Sequence, residues 1–271
     1  MTDPAARSRV AVVTGAVGAI GSAVVAALLD GGYTVVGIDR LDPQSDAARE
    51  LRREDRHSGE RAAAGRYVSL LADVRDIEAV AGCARVAQEI GDVCHVVGVA
   101  GGAVPGEPVA DDPALIDLDM FRASLELNLV SQFTVVREFV PLVRKATAAY
   151  GDASLTMTSS INGVVGMRMP GYSAAKAGLL GLVRVLANQL GRDGIRVNAV
   201  SPGTVRTART ERIWAHDDGH FERLERRCPT ASLATPEDVA AVVMMLVNTP
   251  GVTGQNLIVD GGQTSTWAGS P

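Results

Sequence analysis

Tyr172 stands four residues before Lys176 in the stretch PGYSAAKAGLLG, residues 170–181. On a helix, residues i and i+4 share a face one turn apart, so this spacing makes a phenol and an ammonium neighbours. A free phenol ionises near ~10. A nearby ammonium stabilises the phenolate and brings it toward the range of general acid–base work. The chain has 26 basic residues, of which only Lys145 and Lys176 are lysines. A tyrosine packed at a helix start beside a solvated lysine is the plainer alternative, but arginine would serve that equally well. An ammonium is a compact point charge with three donors that can also reach sugar hydroxyls, where a planar guanidinium fits poorly. The small residues at 173–175, with Ala177 and Gly178, leave room for a cofactor and for neighbouring backbone.

A second stretch points to that cofactor. TGAVGAIG, residues 14–21, follows a short β-branched run and opens a helical one. Glycines there permit a tight turn and let backbone N–H groups approach a pyrophosphate at a helix N-terminus. Gly15, Gly18, Ala19, Ile20 and Gly21 are the candidate cradle. Asp39 ends the next predicted strand, near the ~20-residue spacing expected of a ribose-binding carboxylate. A carboxylate there accepts both ribose hydroxyls and repels a 2′-phosphate, which favours NAD over NADP. Arg40 pulls the other way, since a guanidinium attracts that phosphate, unless it is a solvated charge or a lid on the adenine.

These groups need strands and helices to hold them, and the pattern alternates. Strands are predicted at 10–15, 33–39, 66–74, 93–102, 154–160, 195–203 and 256–262. Helices are predicted at 19–32, 76–90, 118–148, 172–190 and 236–248, with a charged segment at 42–65 read as helical with a loose loop. Alternation of this kind gives an α/β fold, a doubly wound parallel seven-stranded sheet with helices on both faces, of Rossmann type. No composition shift marks a linker, so residues 1–271 read as one dinucleotide-binding and catalytic domain, with 204–229 as a substrate lid. Ligands in such sheets sit beyond the carboxyl ends of the strands.

Composition bounds the rest. The chain has 271 residues, 46% hydrophobic and only 4% aromatic, which suits a sheet covered on both faces. A net charge of −5 argues against a nucleic-acid partner. Cys83, Cys94 and Cys228 lack metal-ligand spacing, so no metal site is expected, and their odd number suits reduced thiols in the cytoplasm. Residues 1–8 have no apolar core, which predicts no signal peptide. No apolar run approaches the ~20 residues of a membrane span.

In order along the chain, TGAVGAIG, Asp39, Asp73-Val74, Asn128, Ser160, Tyr172-Ser-Ala-Ala-Lys176 and Pro202-Gly203 with Thr207 resemble the motifs of the short-chain dehydrogenase/reductase family. The resemblance runs from Thr14 to about Gly262. It implies hydride transfer between a nicotinamide cofactor and a secondary alcohol or ketone. Tyr172 would be the general acid or base, Lys176 would lower its pKa and bind the nicotinamide ribose, and Ser160 would hydrogen-bond the substrate oxygen. Asn128 would hold a water in a proton relay, unless it only bonds its own helix. Asp73 and Val74 would flank the adenine, unless Asp73 is only a helix-capping aspartate, and Ala100 and Gly101 would line the cofactor. Pro202, Gly203, Val205 and Thr207 would cover the nicotinamide side. A homo-oligomer, tetramer or dimer, is implied, with the last strand and the helices at 118–148 and 172–190 as its interface.

Departures from the family pattern set the open questions. The usual spacing to the tyrosine selects Ser159, whereas Ser160-Ile-Asn-Gly163 selects Ser160, which is preferred on strand-end geometry. Ala19 replaces the middle glycine of the first turn. The fourth strand ends Gly98-Val99-Ala100-Gly101 where relatives have Asn-Asn-Ala-Gly, so a supporting asparagine is missing. The substrate pocket would be built from residues 103–112, 161–171 and the lid, whose Trp214, His216, His220 and Phe221 either meet a partly apolar substrate or simply pin the lid. A cyclic or medium-sized hydroxy compound is expected. The alternatives are a 3-oxoacyl thioester reductase using NADPH, with Arg206, Arg209 and Arg212 docking an acidic carrier, a lyase or epimerase, and a non-catalytic NAD-binding protein.

Overall fold

The computed structural model describes residues 7–42, 44–45, 65–104, 106–107, 112–167 and 169–265. Seven strands form one sheet: β1 (Arg9–Thr14), β2 (Thr34–Asp39), β3 (Tyr67–Leu71), β4 (Asp92–Gly98), β5 (Ala153–Thr158), β6 (Ile195–Pro202) and β7 (Asn256–Val259). Their order is β3-β2-β1-β4-β5-β6-β7 and every pairing is parallel. The chain moves outward from β1 to β3, then returns to place β4 on the other side of β1. That reversal opens a crevice beyond the carboxyl ends of β1 and β4. The expected sheet is therefore observed. The charged segment read as helical at 42–65 lies almost wholly outside the described residues.

Period-two alternation divides the strand side chains between two cores. Val10 and Val12 face one side with α2 (Ile77–Ile90), α4 (Ser131–Tyr150) and α5 (Pro170–Leu190). Ala11 and Val13 face the other with α1 (Ala19–Asp30) and α8 (Pro236–Asn248). β5 and β6 are buried along their whole length, as strands covered on both faces are, although Ser154, Thr156, Arg196 and Asn198 alternate with their apolar residues. Asp76 caps α2 by accepting from the Glu78 and Ala79 amides, and Thr235 and Asp238 form a reciprocal capping box on α8.

The long helix predicted at 118–148 is not continuous. It is α3 (Leu118–Leu125), a π-helical turn (Glu126–Val130) and α4. Asn128 lies inside that turn and is fully buried. Its Oδ1 accepts from the Gly102 amide at 2.7 Å, and its Nδ2 donates to Gly102 O and Ser124 O at 3.0 Å. Holding the β4 exit in this way needs a local change of helical pitch, which periodicity cannot report because the apolar stripe continues on both sides.

Between β6 and β7 lie α6 (Ala208–Ile213) and α7 (His220–Glu225). Trp214 stacks on His220 with ring centroids 4.0 Å apart, His220 meets Phe221 edge-on, and Arg206 lies over Phe221. These aromatics pack on one another above Cys228 and Leu233.

Candidate active site

The Gly-rich turn joins β1 to α1 with little clearance. Gly15 has φ +68°, and a β-carbon there would lie 2.7 Å from the Ala100 amide nitrogen. One at Gly21 would lie 2.0 Å from Gly15 O. The helix N-cap is Gly18, which has no side chain with which to cap α1. The turn thus presents a helix N-terminus ready for an anion, close to the β4 exit. Asp39 faces this turn: its Oδ2 accepts from the Val17 amide at 3.0 Å and its Oδ1 from the Leu41 amide at 3.1 Å. Arg40 beside it is exposed. Asp73 pairs with Arg75, whose hydrogen bonds hold its carboxyl down at about 2. Asp76, not Asp73, is the helix cap. The residues present fit a dinucleotide: a glycine turn with no space for side chains, an uncapped helix start and a carboxylate at the β2 end.

The second half of the crevice gathers Asn128, Ser160, Tyr172 and Lys176. A β-carbon at Gly101 would lie 2.8 Å from Asn128 Oδ1 and 3.3 Å from Lys176 Nζ, so these two side chains flank the β4 exit. Lys176 is buried and its Nζ donates to Thr158 O at 2.8 Å. Nζ lies 5.5 Å from the Tyr172 ring centroid, so the two face each other across one helical turn. A β-carbon at Gly163 would lie 2.6 Å from the Lys176 carbonyl carbon. The glycine of Ser-x-x-Gly therefore lets α5 close onto the β5 exit.

The two serines separate cleanly. Ser159 Oγ donates to the Lys176 carbonyl at 2.8 Å and is buried, tying β5 to α5. Ser160 caps the following 3-10 turn, accepting from the Asn162 amide at 3.2 Å, and makes a side-chain hydrogen bond that pulls the Tyr172 pKa down. Ser160 is the one that faces the phenol.

Burial pushes the Tyr172 hydroxyl above its ordinary value; the downward pulls come from Ser160 and Arg209, while Glu107 pushes it up. Burial, with Arg209 nearby, brings Lys176 itself down to about 7.

Four side chains that the motifs did not announce complete the site. Gln132 donates from Nε2 to Ala100 O at 2.6 Å, and a β-carbon at Gly98 would lie 2.0 Å from its Oε1. Its carboxamide occupies the space beside the missing asparagine of β4, so support comes from α4 instead. Arg209 donates to Gly101 O at 3.2 Å and Ala103 O at 3.0 Å. Glu107 accepts from the Tyr172 amide at 2.8 Å, and Ser124 donates to Glu107 at 3.1 Å. Gln132 and Ser124 had no signal in sequence, whereas Arg209 and the loop carrying Glu107 were already expected near the pocket. Of the lid-side residues, Val205 is buried in an isolated bridge to Ala234, and Thr207 caps α6 through the Thr210 amide. A β-carbon at Gly203 would lie 2.8 Å from Asp260 Cβ, which fixes the Pro202-Gly203 turn.

The family model described as Enoyl-(Acyl carrier protein) reductase matches residues 15–264. A cis-4-hydroxycyclohexanecarboxylate dehydrogenase of Sinomonas cyclohexanicum is 35% identical over 261 residues, covering 95% of this chain and 97% of that protein. A 2,5-dichloro-2,5-cyclohexadiene-1,4-diol dehydrogenase of Sphingobium indicum is 31% identical over 261 residues, covering 94% and 96%. A solved structure of a Burkholderia thailandensis oxidoreductase of the short chain dehydrogenase/reductase family superposes with a TM-score of 0.79 at 30% identity, covering 96% of this chain and 94% of that one.

Proposed function

The chain belongs to the short-chain dehydrogenase/reductase family, and from that premise we propose that Tyr172 is the general acid and base of its oxidoreductase reaction on an alcohol or ketone. The bound nicotinamide supplies or takes up the hydride. The observation that carries the reading is the meeting of Tyr172, Ser160 and Lys176 at the carboxyl edge of the sheet, across from an uncapped glycine turn. Ser160 donates to the substrate oxygen and orients it beside the phenol. In oxidation Tyr172 takes the hydroxyl proton, and in reduction it returns one. Lys176 reaches the ribose hydroxyls and, through Asn128 and a water, passes protons to and from the phenol. Gly15, Gly18, Ala19, Ile20 and Gly21 hold the pyrophosphate, Asp73 and Val74 the adenine, and Ala100, Gly101, Pro202, Gly203, Val205 and Thr207 the nicotinamide end.

NAD is the preferred cofactor, because Asp39 points its carboxylate at the turn where the adenosine ribose belongs. Arg40 is the group that would admit NADP. The substrate is a cyclic or medium-sized hydroxy compound, a reading supported by two relatives named for cyclic alcohols. A carrier-bound 3-oxoacyl thioester is the second reading, kept in view by the description of the family model. The lid argues against it: Arg206 is paired with Glu211 and Glu222, and Arg209 turns inward to backbone carbonyls. Neither offers its charge to an acidic carrier. The lid, 204–229, closes over the substrate. Val130, Phe133 and Val185 are exposed apolar residues in and beside α4 and on α5, and Ile258 is another on β7. They support a homo-oligomer, dimer or tetramer. Among the described residues no helix is long and apolar enough to cross a membrane, and a cytoplasmic location is the natural reading.

The test is turnover of cyclic and acyclic secondary alcohols with NAD and with NADP, beside Tyr172→Phe. Activity with NAD that disappears in the variant supports the reading. Full activity in Tyr172→Phe overturns the acid–base role, and better turnover with NADP overturns the Asp39 argument.

A further inference from the structure

Helix α5 carries Tyr172 and Lys176 but begins poorly. Its N-cap is Met169, a non-glycine residue at φ 98°, and Met169 provides no side-chain cap. Pro170 and Gly171 follow, so Tyr172 is the third helical residue and its amide is one of the donors left unpaired at a helix start. That amide does have a partner, but one 65 residues away in sequence. Glu107 Oε1 accepts from it at 2.8 Å. The other oxygen, Oε2, accepts from Ser124 Oγ at 3.1 Å. Ser124 is fully buried, and its backbone carbonyl accepts from Asn128 Nδ2.

Gly171 is part of the same arrangement. A β-carbon there would lie 3.0 Å from Glu107 Oε1 and 3.0 Å from Ser124 Cβ. The residue before the tyrosine is small where the carboxylate must come close. A chain of hydrogen bonds therefore runs from Asn128 through Ser124 and Glu107 to the backbone of Tyr172. It joins α3, the segment after β4 and α5.

We propose that Glu107 is a positioning residue for the acid–base tyrosine: its carboxylate caps α5 from outside the helix and fixes where the first turn, and hence the phenol, stands. This rests on the reading of Tyr172 given above. A carboxylate is the favoured partner at a helix N-terminus because it meets both the open N–H groups and the positive end of the helix dipole. Glu107 also opposes phenolate formation, in agreement with its upward push on Tyr172. The same side chain thus sets position through its hydrogen bonds and acidity through its charge, and the two effects can be separated.

Glu107→Gln keeps an acceptor for the Tyr172 amide and removes the charge; Glu107→Ala removes both. The expected result for Glu107→Ala is a loss of about tenfold in kcat, since small misplacements of a catalytic group are costly, with cofactor affinity unchanged. Glu107→Gln recovers most of that loss, and its pH profile for alcohol oxidation moves to lower pH. A second readout needs neither cofactor nor substrate. In the ligand-free protein the Tyr172 amide is protected from hydrogen exchange in wild type and in Glu107→Gln, and exchanges faster in Glu107→Ala. Unchanged exchange and unchanged kcat in Glu107→Ala overturn the proposal. So does equal loss of kcat in both variants, or a parallel loss of cofactor affinity that marks general loosening. Tyr172→Phe in the same assay keeps the two ideas apart: if it stays active, the role of Tyr172 falls, while the exchange measurement still decides whether Glu107 holds the helix.

Discussion

At the amino end of the central strands, buried polar groups are closed on one another. Arg196 is buried, binds Asp152, and donates to Leu246 O and Val247 O in the last turn of α8. His95 is fully buried, its Nδ1 sharing a hydrogen bond with Ser154 Oγ at 2.9 Å and its ring meeting Tyr33 edge-on. At the carboxyl end, Tyr172, Ser160 and Lys176 are also held by neighbours, yet the phenol hydroxyl and the ammonium keep capacity to spare. The Lys176 ammonium has three donors, and among the described residues the one hydrogen bond found for it is to Thr158 O. The contrast is instructive because both ends bury charge. Where polar groups satisfy each other, they hold elements together; where they are left with unused valence beside an open crevice, they can work on a ligand.

Substitutions should therefore affect activity at one end and stability at the other. The largest effect is expected from Tyr172→Phe, which should lower turnover by about 10³-fold or more with a thermal midpoint close to wild type. A stability loss comparable to the activity loss would erase the contrast. Arg196→Ala should do the reverse. Removing the cation leaves Asp152 and two helix carbonyls without their partner, so denaturant unfolding should show a loss of about 3 kcal/mol, while kcat of the folded fraction is kept.

The serine pair sharpens the boundary, since the two ends meet at adjacent residues. Ser160→Ala should cost about 10²-fold in kcat, the size expected for loss of one donor to a reacting oxygen. Ser159→Ala should cost about 1 kcal/mol of stability and change turnover only a few-fold. An inverted result would move the catalytic role to Ser159.

Acid should act on the amino end. Burial brings His95 down to about 4 from its ordinary 6.5. Between those values the unfolded chain holds a proton that the folded chain refuses, so stability is lost as pH falls through this window. By pH 5 the loss from this group should reach about 2 kcal/mol, read as a drop in the urea midpoint that His95→Gln removes. Lys176 has the same sign in a different window. Its folded pKa of about 7 lies below the unfolded 10.5, so stability should rise between pH 7 and 10.5, and Lys176→Met should flatten only that limb.

Much of this was legible beforehand. The β-branched run VAVVTG, the repeated strand–helix alternation and the small, β-branched composition announced a sheet covered on both faces, and TGAVGAIG with Asp39 announced the crevice. The π-helical turn at Asn128 was not legible, because a one-residue change of pitch leaves the apolar pattern intact on either side. Gln132 was not legible either: an ordinary glutamine in a long helix becomes a support for β4 only because Gly98 leaves space across the interface. Ser159 and Ser160 are indistinguishable by type, and the direction of the chain at the β5 exit separates them.

The sequence by itself determined the fold, the cofactor turn and the pairing of a phenol with an ammonium, because each depends on residue type and on spacings of a few positions. Tertiary structure alone decided the electrostatic setting of that pair. Whether Lys176 carries a full charge, which groups pull on Tyr172, and what caps the helix that holds them depend on burial and on Arg209, Glu107, Ser124 and Gln132, drawn from distant parts of the chain. Desolvation and through-space charge act over a few ångströms of the folded molecule, and sequence separation carries no measure of that distance.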